Sequence, residues 1–199
     1  MTTPEQRVDD YAVVAVASSA GGIHGLGVLL RDLGPDFPVP VLVVQHLDPR
    51  HRTVIAEVLA RRTSMPVKLA EHGEVARSGT VYVAPPDRHL LVGTDGVLTL
   101  SSSELVHFLR PSADLLFESV AGAYGARAIA CVLTGTGSDG AMGVDAVKSR
   151  GGTVIAQDPQ TAEFKGMPGA AVGTGAVDFV LPLEEIAEVV RGLVETKRY

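Results

Sequence analysis

Short apolar runs closed by Gly, Pro or Asp alternate along the chain with longer stretches in which apolar positions recur every three or four residues. The first pattern suits a strand buried on both faces, the second an amphipathic helix. The runs predict strands over 11–17, 39–45, 80–84, 127–134, 153–157 and 176–181, and helices over 23–33, 52–62, 112–124, 141–150 and 183–197. Strand and helix in alternation predict an α/β fold, a single-domain, doubly wound and mostly parallel sheet with helices on both faces. Between residues 67 and 100 the spacing shortens: the runs 67–70, 81–83, 89–92 and 97–100 are separated by turn residues, among them Gly73, Gly79, Pro85-Pro86 and Asp95-Gly96. These predict a small antiparallel edge or hairpin region. No internal repeat, low-complexity tract or linker interrupts the pattern, so one folded unit is expected over 11–199, preceded by an extended or disordered lead over 1–10.

Composition narrows the function classes. A chain of 199 residues, 46% of them hydrophobic, is long enough for one well-buried core. Its formal net charge of −6 argues against nucleic-acid binding, which draws on a basic field. No apolar run approaches the length of a membrane span, and the polar, acidic N-terminus lacks the marks of a signal peptide, so a cytoplasmic protein without membrane insertion is expected. The single cysteine, Cys131, sits inside an apolar run and reads as a buried strand residue. The six histidines are scattered without metal-ligand spacing, and both nucleotide-loop fingerprints are missing. No metal and no cofactor is therefore expected.

In open parallel sheets the chemistry gathers at the carboxyl ends of the strands. Three predicted strands end in capable residues: the first in Ser18-Ser19, the second in Gln45-His46, and the fourth in the loop leading to Asp139. A hydroxyl, an imidazole and a carboxylate on one rim are the parts of a nucleophile, its general base and the group that orients the base. Of the two serines, Ser19 has small residues, Ala17 and Gly21, two places to either side, as a tight nucleophile turn requires, whereas Ser18 has Val16. Each residue alone also has a plainer reading. The Ser/Gly turn suits a helix cap or a phosphate loop, His46 a half-buried histidine bonded to a carbonyl, and Asp139 the N-cap of the helix starting near Ala141. Their coincidence on one rim favours catalysis.

The segments ASSAGG (17–22), VQHL (44–47), VYVAPPDRHL (81–90), RPSAD (110–114), LTGTGSDGA (133–141), AQD (156–158) and KGMP (165–168) follow one another in an order that resembles the catalytic domain of the bacterial chemotaxis protein-glutamate methylesterase family, CheB, from about Tyr11 onward. The resemblance implies a Ser-His-Asp triad on Ser19, His46 and Asp139, and hydrolysis of glutamate γ-methyl esters on chemoreceptor cytoplasmic helices with release of methanol. Glutamine deamidation by similar acyl chemistry is implied as well. Backbone oxyanion donors are expected in the Ser19-Ala20 turn and the Gly135-Thr136-Gly137 loop, with a hydrogen bond from Ser18 at the site; Arg110, Tyr82 and Met167 lie in matching segments and are candidates to position substrate, with a solvated cation, a strand-edge aromatic and a core methionine as equal alternatives. Thr136 stands where the family more commonly has methionine, and Ser18-Ser19-Ala20 where it often has Ala-Ser-Thr.

The implied partner is the cytoplasmic domain of a methyl-accepting chemoreceptor. Family members usually carry an N-terminal receiver domain, for which the residues before the first strand leave no room. Constitutive activity, control by a separate regulatory protein, or service to a signalling system other than flagellar chemotaxis is the expectation. A non-catalytic module of the same fold that binds receptor or partner is the alternative, against which the retention of all three triad residues counts.

Overall fold

A computed structural model describes residues 10–47 and 53–196. Its centre is a seven-stranded sheet in the spatial order β3-β4-β2-β1-β7-β8-β9, in which every pair is parallel. The strands are β1 (Val13–Ser18), β2 (Val41–Gln45), β3 (Val67–Leu69), β4 (Val81–Val83), β7 (Ala128–Val132), β8 (Thr153–Gln157) and β9 (Phe179–Leu181). A separate antiparallel pair is made by β5 (His89–Val92) and β6 (Leu98–Ser101). The helices are α1 (Gly22–Leu33), α2 (Ile55–Ala60), α3 (Ala113–Tyr124), α4 (Ala141–Ser149), α5 (Gly166–Gly173) and α6 (Leu183–Glu195).

Strand alternation divides the core into two layers. Val14 and Val16 of β1, with Val41 and Val43 of β2 and Ile129 and Cys131 of β7, pack against the leucines of α1 and the apolar stripe of α6. Val13, Ala15 and Ala17, with Leu42, Val44, Ala130 and Val132, face α3, α4 and the β5-β6 pair. Apolar residues at both parities are what a two-sided parallel strand demands. Cys131 is fully buried and free, and burial pushes its thiol up to about 12.

The structure departs from the sequence expectation in the pairing of one region, in one added helix and in several element bounds. Residues 67–69 and 81–83 are parallel members of the main sheet, so the antiparallel region shrinks to β5-β6. The intervening segment 70–80 is long enough to return the chain for a parallel pairing. It crosses toward β6 through bonds such as Gly73 N–H to Leu98 O. Second, α5 was hidden by its composition, GMPGAAVG, whose glycines have low helix propensity. Its Pro168 lies in the first turn, where a missing N–H costs nothing. Third, β9 is shorter than the run 176–181. The expected starts at Tyr11 and Val39 shift inward to Val13 and Val41, while Arg52 and Lys197, two expected helix ends, lie outside the described residues.

Candidate active site

The chain runs from β1 to β2 on one side of the sheet and later returns through β7 on the other side of β1. This reversal makes the carboxyl end of β1 a topological switch point, where loops diverge and leave a crevice. The loops after β1, β2 and β7 carry Ser19, His46 and Asp139 respectively. Ser18 pairs with Gln45 in the β1–β2 register, and the His46 N–H continues the ladder to Ser18 O at 3.1 Å, so Ser19 and His46 leave the sheet side by side. Both line one open pocket of about 470 Å³ with Ala20, Gly21 and Leu47.

His46 Nε2 meets Asp139 Oδ2 at 2.7 Å, with the side chains 11% and 1% exposed. The Asp139 carboxylate also accepts from Ala113 N–H at 2.6 Å, Asp114 N–H at 3.0 Å and Ser112 Oγ at 3.0 Å. Burial by itself would raise its pKa. The bonds from His46, Ala113 and Asp114 outweigh that, and Asp139 is held below the usual carboxylate value. With Nε2 committed to an ionised carboxylate, Nδ1 is the ring atom left to take a proton from a neighbour.

Asp139 does not cap its own helix. It caps the N-terminus of α3, and the start of α4 is capped from across the site by Asp114, whose Oδ1 accepts from Gly140 N–H at 2.9 Å and Gly143 N–H at 2.8 Å. Asp114 is pushed above its usual value, first by burial and further by the nearby Asp139 charge, against the pull of those two bonds.

The turn after β1 is built from small parts. Gly22 N–H donates to Ser19 O at 2.8 Å, and the left-handed φ of +74° falls on Gly21, leaving Ser19 without that strain. Ser19 N–H donates to Thr134 O at 3.0 Å, and Thr134 Oγ1 donates to Ala20 O at 3.1 Å and accepts from Phe164 N–H at 2.9 Å. Gly135 lies so close that a Cβ on it would come within 2.9 Å of Ser19 Cβ and collide with Met167 Sδ.

Gln45 stands at a predicted strand end, but the sequence reading gives it no role. Its buried amide accepts from Ser18 Oγ at 2.6 Å and donates to Ser19 O at 2.8 Å and His46 O at 3.0 Å, fixing the backbones that carry hydroxyl and imidazole. Its place directly before His46 was the available signal: a polar side chain ending an otherwise apolar strand.

Several expected positioning residues are placed elsewhere. Ser18 is fully buried and its hydroxyl is taken by Gln45, so it does not reach a substrate. Tyr82 is 2% exposed on the α3 face of the sheet, its hydroxyl accepting from Arg77 N–H at 2.9 Å. β4 is buried on both faces: Val81 and Val83 enter the layer under α1, and Tyr82 enters the layer under α3. Met167 is 1% exposed and supports Gly135 from below. Arg110 lines a pocket that includes His46, but its guanidinium is occupied by Asp87 Oδ1 and by Ser102 and Ser103 carbonyls. Ala20 is half-buried, and Thr136 and Gly137 are exposed in the loop before Asp139. Among the described residues, the N–H groups of Ala20, Thr136 and Gly137 make no bond within the protein, whereas Gly135 N–H is used by Phe164 O at 2.9 Å.

A family model described as CheB methylesterase matches residues 14–190. The chain belongs to the CheB methylesterase family. Its fold superposes on the Thermotoga maritima CheB methylesterase catalytic domain with a TM-score of 0.88 at 37% identity, covering 94% of this chain and 100% of that one. A Leptospira interrogans relative is 41% identical over 90% of this chain and 93% of its own length. The protein-glutamate methylesterase/protein-glutamine glutaminase 2 of Anaeromyxobacter dehalogenans is 44% identical over 94% of this chain, which spans 54% of that protein. For the Pyrococcus abyssi protein-glutamate methylesterase/protein-glutamine glutaminase the identity is 40%, over 93% of this chain and 51% of the relative. The CheB fold thus accounts for this chain from β1 to α6. Among the described residues no helix is long and apolar enough to cross a membrane.

Proposed function

We propose that the chain is a serine hydrolase that removes γ-methyl esters from protein glutamates, with chemoreceptor cytoplasmic helices as substrate and deamidation of glutamine side chains as a second outcome of the same acyl chemistry. The observation that carries this reading is the 2.7 Å bond between half-buried His46 and buried Asp139, beside a pocket that His46 shares with Ser19. Membership of the CheB family supports the substrate class.

Ser19 Oγ attacks the ester carbonyl while His46 Nδ1 takes its proton, and the Asp139 carboxylate on Nε2 fixes the tautomer and stabilises the imidazolium that forms. The developing oxyanion is met by N–H groups without internal partners, those of Ala20 and of the Thr136-Gly137 segment, at the positive end of α1. His46 then returns the proton to the departing methoxide, giving methanol. Water repeats the cycle on the acyl-serine: it attacks with His46 as base, and the glutamate carboxylate and free Ser19 are restored. For a glutamine side chain the leaving group is ammonia.

Thr136 presents no obstacle to this scheme, because its main-chain N–H serves irrespective of the side chain. The test is methanol release from receptor membranes carrying labelled methyl esters. The parent chain is expected to release methanol and Ser19→Ala to release none above background. Absence of release by the folded parent chain would refute the proposal.

A further inference from the structure

Between the antiparallel pair β5-β6 and helix α3 the chain makes a small hairpin. Val106 N–H donates to Leu109 O at 3.1 Å and Leu109 N–H to Val106 O at 2.9 Å, so His107 and Phe108 are the two turn residues. Both have left-handed backbones, with φ of 49° and 65°. Such a turn favours Asn-Gly, because a Cβ in this region crowds the following carbonyl. Phe108 is therefore a poor local choice, and at 93% exposure it has almost no packing within the chain to offset the strain. A large apolar side chain held out on a strained turn is explained by what it meets outside the protein.

The stalk beneath this tip is tied down on both sides. Arg110 donates from Nε and Nη2 to Asp87 Oδ1 at 2.8 and 2.6 Å and from Nη1 to Ser103 O at 2.7 Å. The buried His89 donates from Nε2 to Glu104 O at 3.0 Å and accepts at Nδ1 from Ser112 N–H at 3.1 Å. Ser112 in turn bonds Asp139. The hairpin is thus a fixed extension of the catalytic framework. A pocket of about 280 Å³ is lined jointly by His46 and Leu47 of the site and by Leu105, Phe108 and Leu109 of the hairpin. Leu105 adds a second apolar side chain with 51% exposure.

We propose that this hairpin is the docking surface for the substrate helix: Phe108 and Leu105 receive an apolar side chain lying on the same face as the methylated glutamate, about one or two helical turns away. The inference rests on the demethylation reading above. A helix of the substrate is the fitting occupant because the pocket shares His46, which sets an apolar contact at the hairpin beside the ester that His46 serves. The hairpin then sets specificity for a protein substrate over a free ester without touching the reacting atoms.

Phe108→Asn tests this, since asparagine accepts a left-handed backbone and keeps the turn. Two readouts are compared with the parent: kcat/KM for methanol release from a methylated receptor cytoplasmic fragment, and the rate at which a small fluorophosphonate labels Ser19. The expected result is a fall of about tenfold or more in kcat/KM, carried by KM, with the labelling rate unchanged and the thermal midpoint equal or higher. Phe108→Leu is expected to keep most of the parent kcat/KM. Unchanged receptor kinetics in Phe108→Asn, with an active parent, would overturn the docking role and leave the methylesterase reading standing. A parallel loss of Ser19 labelling would make the hairpin a support of the nucleophile and overturn it too. No methanol release by the parent would remove both proposals.

Discussion

Asp114 and Asp139 cap each other's helices: Asp139 accepts from the first N–H groups of α3, the helix to which Asp114 belongs, and Asp114 accepts from Gly140 and Gly143 at the start of α4, directly after Asp139. The exchange locks two helix N-termini together at the rim of the sheet and aims the remaining Asp139 lone pairs at His46. It also sets two carboxylates near one another with opposite displacements, Asp139 downward and Asp114 upward. The one with more donors carries the charge more readily.

For Asp114, removal and neutralisation should therefore differ. Asp114→Ala leaves two buried N–H groups without acceptors and is expected to lower stability by about 2–4 kcal/mol in chemical denaturation. Asp114→Asn keeps an acceptor at the Oδ1 position. Because the folded-state pKa of Asp114 is raised, its stabilising contribution is present at low pH and lost as pH rises through that value. The Asn variant lacks this loss, so its stability relative to the parent should improve from about pH 4 to pH 7.

Asp139 has the opposite sign. Its folded pKa is depressed, so its contribution is present above the ordinary carboxylate value and disappears as pH falls through the folded one. Acid unfolding of the parent should steepen below about pH 4, and Asp139→Asn should flatten that limb. An amide cannot accept on both sides, so either Ala113 N–H or Asp114 N–H, which can only donate, loses its acceptor. Methanol release by Asp139→Asn is expected to fall by a factor on the order of 10³–10⁴, measured under single-turnover conditions.

Gln45 should behave as a positioning residue. Gln45→Leu keeps the volume but releases Ser18 Oγ, Ser19 O and His46 O from their shared partner. If Ser19 and His46 act as proposed, displacing one against the other by a fraction of an ångström is expected to cost about 10²-fold in kcat with a smaller change in KM. Equal kcat in parent and variant would show that the strands alone hold the two groups.

Gly135 tests the close packing beneath Ser19. A Cβ there meets Ser19 Cβ and the buried Met167 sulfur. Gly135→Ala is expected to lower stability by about 1–3 kcal/mol and to slow fluorophosphonate labelling of Ser19. Pairing it with Met167→Ala, which opens the space below, should recover part of the labelling rate.

The sequence by itself determined the layered α/β architecture, because two-sided apolar runs and amphipathic stretches can bury their surfaces together in few ways. It also determined that Ser19, His46 and Asp139 follow strand ends, because β1, β2 and β7 are long apolar runs stopped by polar or small residues. Strand pairing of 67–69 with 81–83 was not legible, since short runs separated by turn residues look alike in parallel and antiparallel arrangements. Nor could local pattern assign Tyr82 to the α3 layer or direct the Ser18 hydroxyl to Gln45: which layer each face of a strand meets is fixed only once its neighbours and the covering helices are known. Tertiary structure alone decided that Asp139 caps α3 instead of its own helix, that Gln45 ties the backbones of Ser19 and His46 together, and that a strained turn carries Phe108 to the rim of the His46 pocket. Each is a contact between segments distant in sequence or the product of a loop's path, and periodicity records which face a residue shows, not which partner it finds there.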